Sequence, residues 1–467
     1  MVIESFDLDV LRRLMDEASR LGVDFADIRL ESTATTRIVL REGVQDTSSG
    51  LDVGAAIRVF IKGVVGFSYT SRLTLDSLKS ALHRAYSMAR AAISMPGERR
   101  PSPVTLKSLE DSYAWPQKKK LEDIPIDVKA SDLVELDKAI AGYEFVKSRT
   151  VVYTERLEYK AYASTEDRLV EERRQLVYVA ANAFASREGV TASAFKVQGT
   201  IKGYTIWEKE DQNSFGERLV DRLRKQLEAK TPKAGVFPVV LAPAAVGVLV
   251  HEAFGHLAEA DLTVSGSALK GKLGEKVASS LVSIVDDPTI DDGFGTFKYD
   301  DEGVKTARAV IVDKGVLRQL MTDRVHSAML NLEPTGNARA ESYRVMPLIR
   351  MRNTIMLPGD ATRDELFEGI DFGYYIVATM GGETNLDGSF QVGVQEAYEI
   401  VKGEVGSPVR NLSIAGNTLE TLMNIDMVSK ELEIFYGRCG KGQLVYVSDG
   451  GPHVRVKAMT VGGRETA

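Results

Sequence analysis

The stretch Phe237-Pro-Val-Val-Leu-Ala-Pro-Ala-Ala-Val-Gly-Val-Leu-Val-His251-Glu252-Ala-Phe-Gly-His256-Leu-Ala-Glu259 decides how this chain is read. Residues 239–241 form a short apolar run of the kind that makes a buried strand. Pro243 suits the first position of a helix, where its missing N–H costs nothing. Residues 244–250 are all apolar or Gly, so the helix should be covered on every side. Into that setting the chain places His251, Glu252 and His256. Buried polar groups are costly unless paired, and a bound metal would pair two of them directly.

The spacing is His-Glu-x-x-x-His. On a regular helix, positions i and i+5 lie about 140° apart, too far for two imidazoles to share an ion, whereas i and i+4 lie about 40° apart. A single π-type bulge takes up the extra residue and returns both rings to one face, and such bulges are frequent at functional sites. Gly255 is expected to give the backbone the freedom for it. The spacing therefore predicts a widened turn between His251 and His256. A lone core histidine is usually only hydrogen-bonded; two histidines and a glutamate on one apolar helix favour a metal.

An open catalytic zinc site needs a third protein ligand, with water in the fourth position. The candidates are Cys439, His326, His453 and Glu259. Cys439 lies in Tyr436-Gly-Arg-Cys-Gly-Lys-Gly-Gln, which reads as a Gly-rich, cationic loop whose Arg438 and Lys441 favour the thiolate. His453 reads as a strand-end surface residue, and His326 as a packed or solvent-facing residue of a helix near 323–330.

Outward from this segment, the second half has short apolar runs separated by Asp292-Gly293, Glu302-Gly303, Lys314-Gly315, Asp387-Gly388 and Lys402-Gly403. That pattern predicts an antiparallel, hairpin-rich and barrel-like β domain. The acidic run 286–301 does not follow EF-hand spacing and reads as turns. Gly266, Gly271 and Gly274 follow no strand, so they are no dinucleotide fingerprint. Gly381-Gly-Glu-Thr-Asn-Leu-Asp-Gly-Ser-Phe390 is either a hairpin turn or a place where a peptide backbone pairs as an added strand.

The first half reads as mixed α/β. Asp7 caps a helix carrying Val10, Leu11, Leu14, Ala18 and Leu21, stopped by Gly22. Strand-like runs follow at 25–31, 36–41, 54–61 and 64–69, then a helix from Thr74 with Leu75, Leu78, Leu82, Ala85 and Ala89 on one face and His83 at its solvent edge. Pro96, Pro101, Pro103, Pro116 and Pro125 mark an irregular excursion at about 94–130. A helix at 131–141, strands through Tyr204 and a helix at about 215–230 echo the earlier order, which predicts an internal duplication. The fold class is therefore α+β, with an N-terminal α+β domain at 1–235 and a C-terminal domain carrying a buried metal-binding helix at 236–467.

Composition sets the class. The 467 residues are 44% hydrophobic and 27% charged, as in an ordinary globular protein. Residues 1–236 carry a net charge of +2 and residues 237–467 one of -9, so neither half has the basic excess of a nucleic-acid footprint. The single cysteine cannot form an internal disulfide, which points to a reducing cytosol. The N-terminal residues lack a signal-peptide pattern, and the longest apolar run, 236–250, is too short and too Pro-interrupted to span a bilayer. A soluble cytoplasmic protein is expected.

Several segments together resemble the signatures of the TldD family of metalloproteases, within the TldD/PmbA superfamily also labelled as modulators of DNA gyrase. They are His251-Glu-Ala-Phe-Gly-His-Leu-Ala-Glu-Ala-Asp261, Val285-Asp-Asp-Pro-Thr-Ile, Tyr299-Asp-Asp-Glu-Gly303, Glu333-Pro-Thr-Gly-Asn-Ala-Arg-Ala-Glu-Ser-Tyr343 and Arg438-Cys-Gly-Lys-Gly-Gln443. Phe25-Ala-Asp-Ile-Arg-Leu-Glu-Ser and Val53-Gly-Ala-Ala-Ile-Arg-Val extend the similarity to the N-terminal half; His453 and the 94–130 excursion depart from it. The resemblance implies zinc held by His251, His256 and Cys439, with Glu252 as the catalytic base of a peptidase for unfolded or flexible polypeptides. It also implies work with a PmbA/TldE-like partner subunit or as a homodimer, the pair enclosing the site; the sister subunit lacks the His-Glu-x-x-x-His signature that this chain carries. Two other readings are a non-catalytic regulatory binding protein with a structural metal and a zinc amidase for small molecules.

Overall fold

The computed structural model describes residues 6–97 and 99–463. The first five residues, on which the signal-peptide expectation partly rests, and residue 98 of the 94–130 excursion lie outside the described residues. The chain opens with α1 (Leu8–Arg20), β1 (Phe25–Arg41), β2 (Val44–Ile61), β3 (Val64–Thr70) and α2 (Leu75–Ala92). After β4 (Leu109–Ala114) the same order recurs as α3 (Ile126–Ala141), β5 (Val146–Ser164), β6 (Arg168–Arg187), β7 (Val190–Thr200) and α4 (Gln212–Glu228). The echo expected from the sequence is thus present in the element order. The two sets share one sheet, β3-β2-β1-β5-β6, with β1 antiparallel to β5 at its centre and with β7 and β4 both paired to β6. α1 and α2 cover the first set's apolar face, and α3 and α4 the second's.

Three expectations need correction. The four short runs before residue 70 are three longer strands, because the Ser/Thr-rich stretch around Thr33 is no turn but pairs continuously with β2 and β5. The 94–130 excursion is not irregular throughout: it contributes β4, parallel to β6, and the first turn of α3, which starts at Ile126 behind Pro125. Two-residue turns with both φ angles positive close hairpins at Glu42-Gly43, Lys62-Gly63 and Glu188-Gly189 as well as at Lys314-Gly315 and Lys402-Gly403. Their backbone twist matches that of the strands they join, so this signal marks hairpins in both halves.

The second half holds a closed barrel and a neighbouring sheet. The barrel runs β15 (Phe372–Thr384), β8 (Gly235–Leu241), β22 (Val454–Gly463), β18 (Leu412–Asn417), β16 (Ser389–Val401) and back to β15, with β17 (Glu404–Val409) and β19 (Ile425–Val428) attached outside the ring. The second sheet is ordered β11 (Val316–Leu317), β10 (Ala309–Asp313), β9 (Ile284–Asp286), β14 (Asn353–Met356), β21 (Leu444–Gly451) and β20 (Glu433–Gly440), and β12 (Ala338–Arg339) pairs with β13 (Leu348–Ile349). Between barrel and sheet lies the helix that starts at α5 (Pro243–Val248), packed against β15 on one side and β14, β20 and β21 on the other. That position explains its uniformly apolar sequence. Among the described residues, no helix is long and apolar enough to cross a membrane.

Buried charge fixes the second sheet beside this helix. Asp286 and Arg352 are both fully buried and lie 2.7 Å apart. Asp286 also accepts hydrogen bonds from the Arg352 backbone N–H, Asn337 and Thr354, linking β9 to β14. The acidic run divides accordingly: Asp287 and Asp300 accept local backbone N–H groups in turns, whereas Asp301 reaches Lys160 of the first sheet at 2.6 Å. Removing one partner of a buried pair leaves an uncompensated charge, at a cost of about 3–5 kcal/mol. Asp286→Ala should lower unfolding free energy in chemical denaturation by that amount; a change below about 1 kcal/mol would contradict the role given to the pair.

Candidate metal centre

The chain from α5 continues into a π-helical turn over Leu249–Gly255, followed by one 3-10 turn over His256–Ala258. The widened turn expected from the five-residue spacing is present, and it places the rings of His251 and His256 5.5 Å apart at 83° to one another. Gly255 has ordinary helical angles, φ -58° and ψ -46°, so its backbone freedom is not what the turn uses. What it supplies is space: a Cβ there would sit 2.1 Å from Met351 Sδ and 3.2 Å from the Val250 carbonyl oxygen.

Cys439 is not in a loop. It occupies β20, opposite Val445 of β21, with its side chain buried in the same core as the helix. Of the glycines that suggested a loop, Gly437 and Gly440 belong to β20 and Gly442 to the turn after it. His251, His256 and Cys439 offer ligand atoms that all lie within 4.8 Å of one another, a group that could hold a metal ion. Cys439 Sγ is 3.3 Å from His256 Nε2. His251 is 2% exposed, and neither of its ring nitrogens has a hydrogen-bond partner among the described residues. An imidazole buried in that condition is costly, and two neutral nitrogens with one thiolate are a donor set suited to zinc. The residues present fit such an ion.

Electrostatics couple the three groups to one another. Burial pushes the Cys439 thiol up, but the facing imidazoles, His251 foremost, outweigh it and bring the thiol down to about 4. Burial pushes both histidines down, yet the thiolate raises His251 to about 9, and Glu259 with Cys439 raises His256 to about 10. The cations that favour the thiolate are therefore these histidines and not Arg438 or Lys441. Glu252 follows His251 directly; its carboxylate lies 3.8 Å from His256 Nε2 and is 31% exposed, open to an incoming molecule.

The remaining candidates stand apart. Glu259, fully buried, holds His256 Nδ1 at 2.9 Å, which leaves Nε2 to face Cys439. Burial would raise its carboxyl, but His256 and Lys441 hold it below the usual value. His326 is taken up by Asp323, which caps its helix and lies 2.8 Å from Nδ1. His453 is not a surface residue: it is buried, stacked on Tyr375 and 3.2 Å from that hydroxyl, and burial beside Arg363 takes it down to about 4. Sequence reading missed Arg350, whose fully buried guanidinium donates to the carbonyls of Cys439 and Gln443, each at 2.7 Å. It also missed Asp449, a half-buried carboxyl that desolvation and the nearby Glu252 raise to about 7, against the opposing pull of His251. A buried arginine has no local signature, and Asp449 looks like any strand-end acid.

These shifts set a pH dependence for the metal-free protein. The raised histidines stabilise the fold fully below their ordinary 6.5, and that contribution is lost as pH rises through about 9 to 10. The lowered thiol contributes fully above its ordinary 9.0 and is lost as pH falls through about 4. With a chelator present, thermal stability should therefore fall away at both ends. The chain has one cysteine, so thiolate absorbance at about 240 nm reports on Cys439 alone. It should persist to about pH 5 and need a higher pH in His251→Ala; a thiolate forming only above about pH 8 in the wild type would contradict the coupling.

Comparison with known proteins gives a consistent result. Three PmbA/TldA metallopeptidase family models match: domain 1 over residues 26–89, the central domain over 119–227 and the C-terminal domain over 234–463. A zinc metalloprotease TldD homolog from Saccharolobus solfataricus is 38% identical, over 97% of this chain and 99% of that protein. A metalloprotease from Methanothermobacter thermautotrophicus is 39% identical, over 96% and 97%. The crystal structure of TldE from Thermococcus kodakarensis shares the fold, with a TM-score of 0.79, 19% identity and coverage of 97% of this chain and 100% of that one. The chain belongs to the PmbA/TldA metallopeptidase family, within the TldD/PmbA superfamily.

Proposed function

We propose that this protein is a zinc-dependent peptidase for unfolded or flexible polypeptides, with His251, His256 and Cys439 as ligands and Glu252 as general base. The observation that carries the reading is the buried imidazole of His251, without a hydrogen-bond partner among the described residues and grouped with His256 and Cys439, with the partly exposed Glu252 beside it. Zinc held by these residues would supply Lewis acidity toward a peptide carbonyl and an acidified water. In this reading Glu252 would accept a proton from the attacking water and deliver it to the leaving amine. Glu259 fixes the His256 tautomer, and the apolar helix keeps bulk water from the ligands' far side. In this reading residues 236–467 are the metallopeptidase domain. A PmbA/TldE-like subunit, or a second copy of the chain, works with it in the cytosol. A structural metal in a regulatory protein would call for a fourth protein ligand; among the described residues the group has three, with an acid beside them.

The test pairs zinc content with hydrolysis of a reduced, carboxymethylated polypeptide. Glu252→Gln should keep its zinc and lose activity by about 10²–10⁴-fold. Activity surviving in that variant with zinc retained would sink the assignment of Glu252.

A further inference from the structure

The turn that follows Cys439 is held from two sides. From the residue just after β13, Arg350 grips the carbonyls of Cys439 and Gln443. From the turn itself, Lys441 reaches back to the helix: its Nζ lies 3.0 Å from Glu259 Oε2, 2.6 and 2.8 Å from the two oxygens of Asp261, and 3.2 Å from the Ile349 carbonyl oxygen. Glu259 in turn holds His256 Nδ1. One ammonium thus joins the segment bearing Cys439 to the segment bearing both histidines, Lys441 and Asp261 being 180 positions apart. Its three rotatable donors suit this task. Without it, two carboxylates largely shut off from water would face one another at the end of the ligand helix, and Glu259 would lose the partner that keeps it aimed at His256.

We propose that Lys441 is a positioning residue for the metal centre. Its ammonium aligns the helix of His251 and His256 with the strand of Cys439 before an ion arrives, acting on His256 through Glu259. Groups that hold a ligating histidine from behind commonly change metal affinity 10–100-fold when removed.

The proposal rests on the zinc reading, and the experiment separates the two. Zinc affinity of the full chain is measured by competition with a chromogenic chelator, alongside the visible absorption of the cobalt-loaded protein and the thermal midpoint of the metal-free protein. Lys441→Met should bind zinc at least ten-fold more weakly than wild type and shift the cobalt bands. Lys441→Arg should recover most of the affinity and a wild-type cobalt spectrum. A purely structural lysine would lower the midpoint and leave affinity and spectrum alone, so zinc affinity within two-fold of wild type in Lys441→Met overturns the proposal. Should Lys441→Met fail to fold, Glu259→Gln cuts the same link from the other end and must also weaken zinc at least ten-fold; unchanged affinity there overturns it equally. A wild-type chain that takes up neither zinc nor cobalt defeats the zinc reading itself, and the proposal with it.

Discussion

One extra residue between His251 and His256 governs the site. On a regular helix the two imidazoles would lie about 140° apart, too far round to share an ion. The π-helical turn at Leu249–Gly255 brings them together, and it can exist because both sides of the helix are walled. A bulged turn forfeits regular hydrogen bonds, which an isolated helix would recover by rewinding; here the packing of β15 on one side and of β14 and β21 on the other opposes that. Met351, seated against Gly255, marks how closely the wall follows the turn.

From that constraint the rest of the arrangement follows. A helix covered on most of its surface can display polar groups only at its open edge, where Glu252 lies, or where another element meets them, and β20 is the element that does so, bringing Cys439 to the two histidines. The supporting groups, Glu259, Lys441 and Arg350, are charged residues with little or no exposure, each tied to a partner far away in sequence. Burying so much charge costs stability unless every group is paired. The pairing here converges on the ligand segments, with the Asp286–Arg352 pair securing the neighbouring strands.

Much of this was legible because it is local. The five-residue spacing demanded a widened turn, and the apolar run before it demanded a covered helix; both depend only on helix geometry and on the cost of burial. The barrel was legible in outline from the Gly turns. Cys439 was misplaced because Gly437, Gly440 and Gly442 flank it and look like a loop, while the pairing with Val445 that makes it a strand cannot be seen in composition. His453 was misplaced for a similar reason: Gly450, Gly451 and Pro452 look like a surface turn, and the Tyr375 ring that covers it comes from a strand 78 residues earlier. The Lys441 clamp and the Arg350 grip are tertiary contacts of charged residues, which a sequence places on the surface by default.

Whether two histidines of the bulged helix and the cysteine of β20 hold one ion is read most directly by zinc K-edge X-ray absorption of the zinc-loaded chain. One sulfur at ~2.3 Å with two nitrogens at ~2.0–2.1 Å is the expected shell. A shell of nitrogen and oxygen alone, with no sulfur, would contradict it.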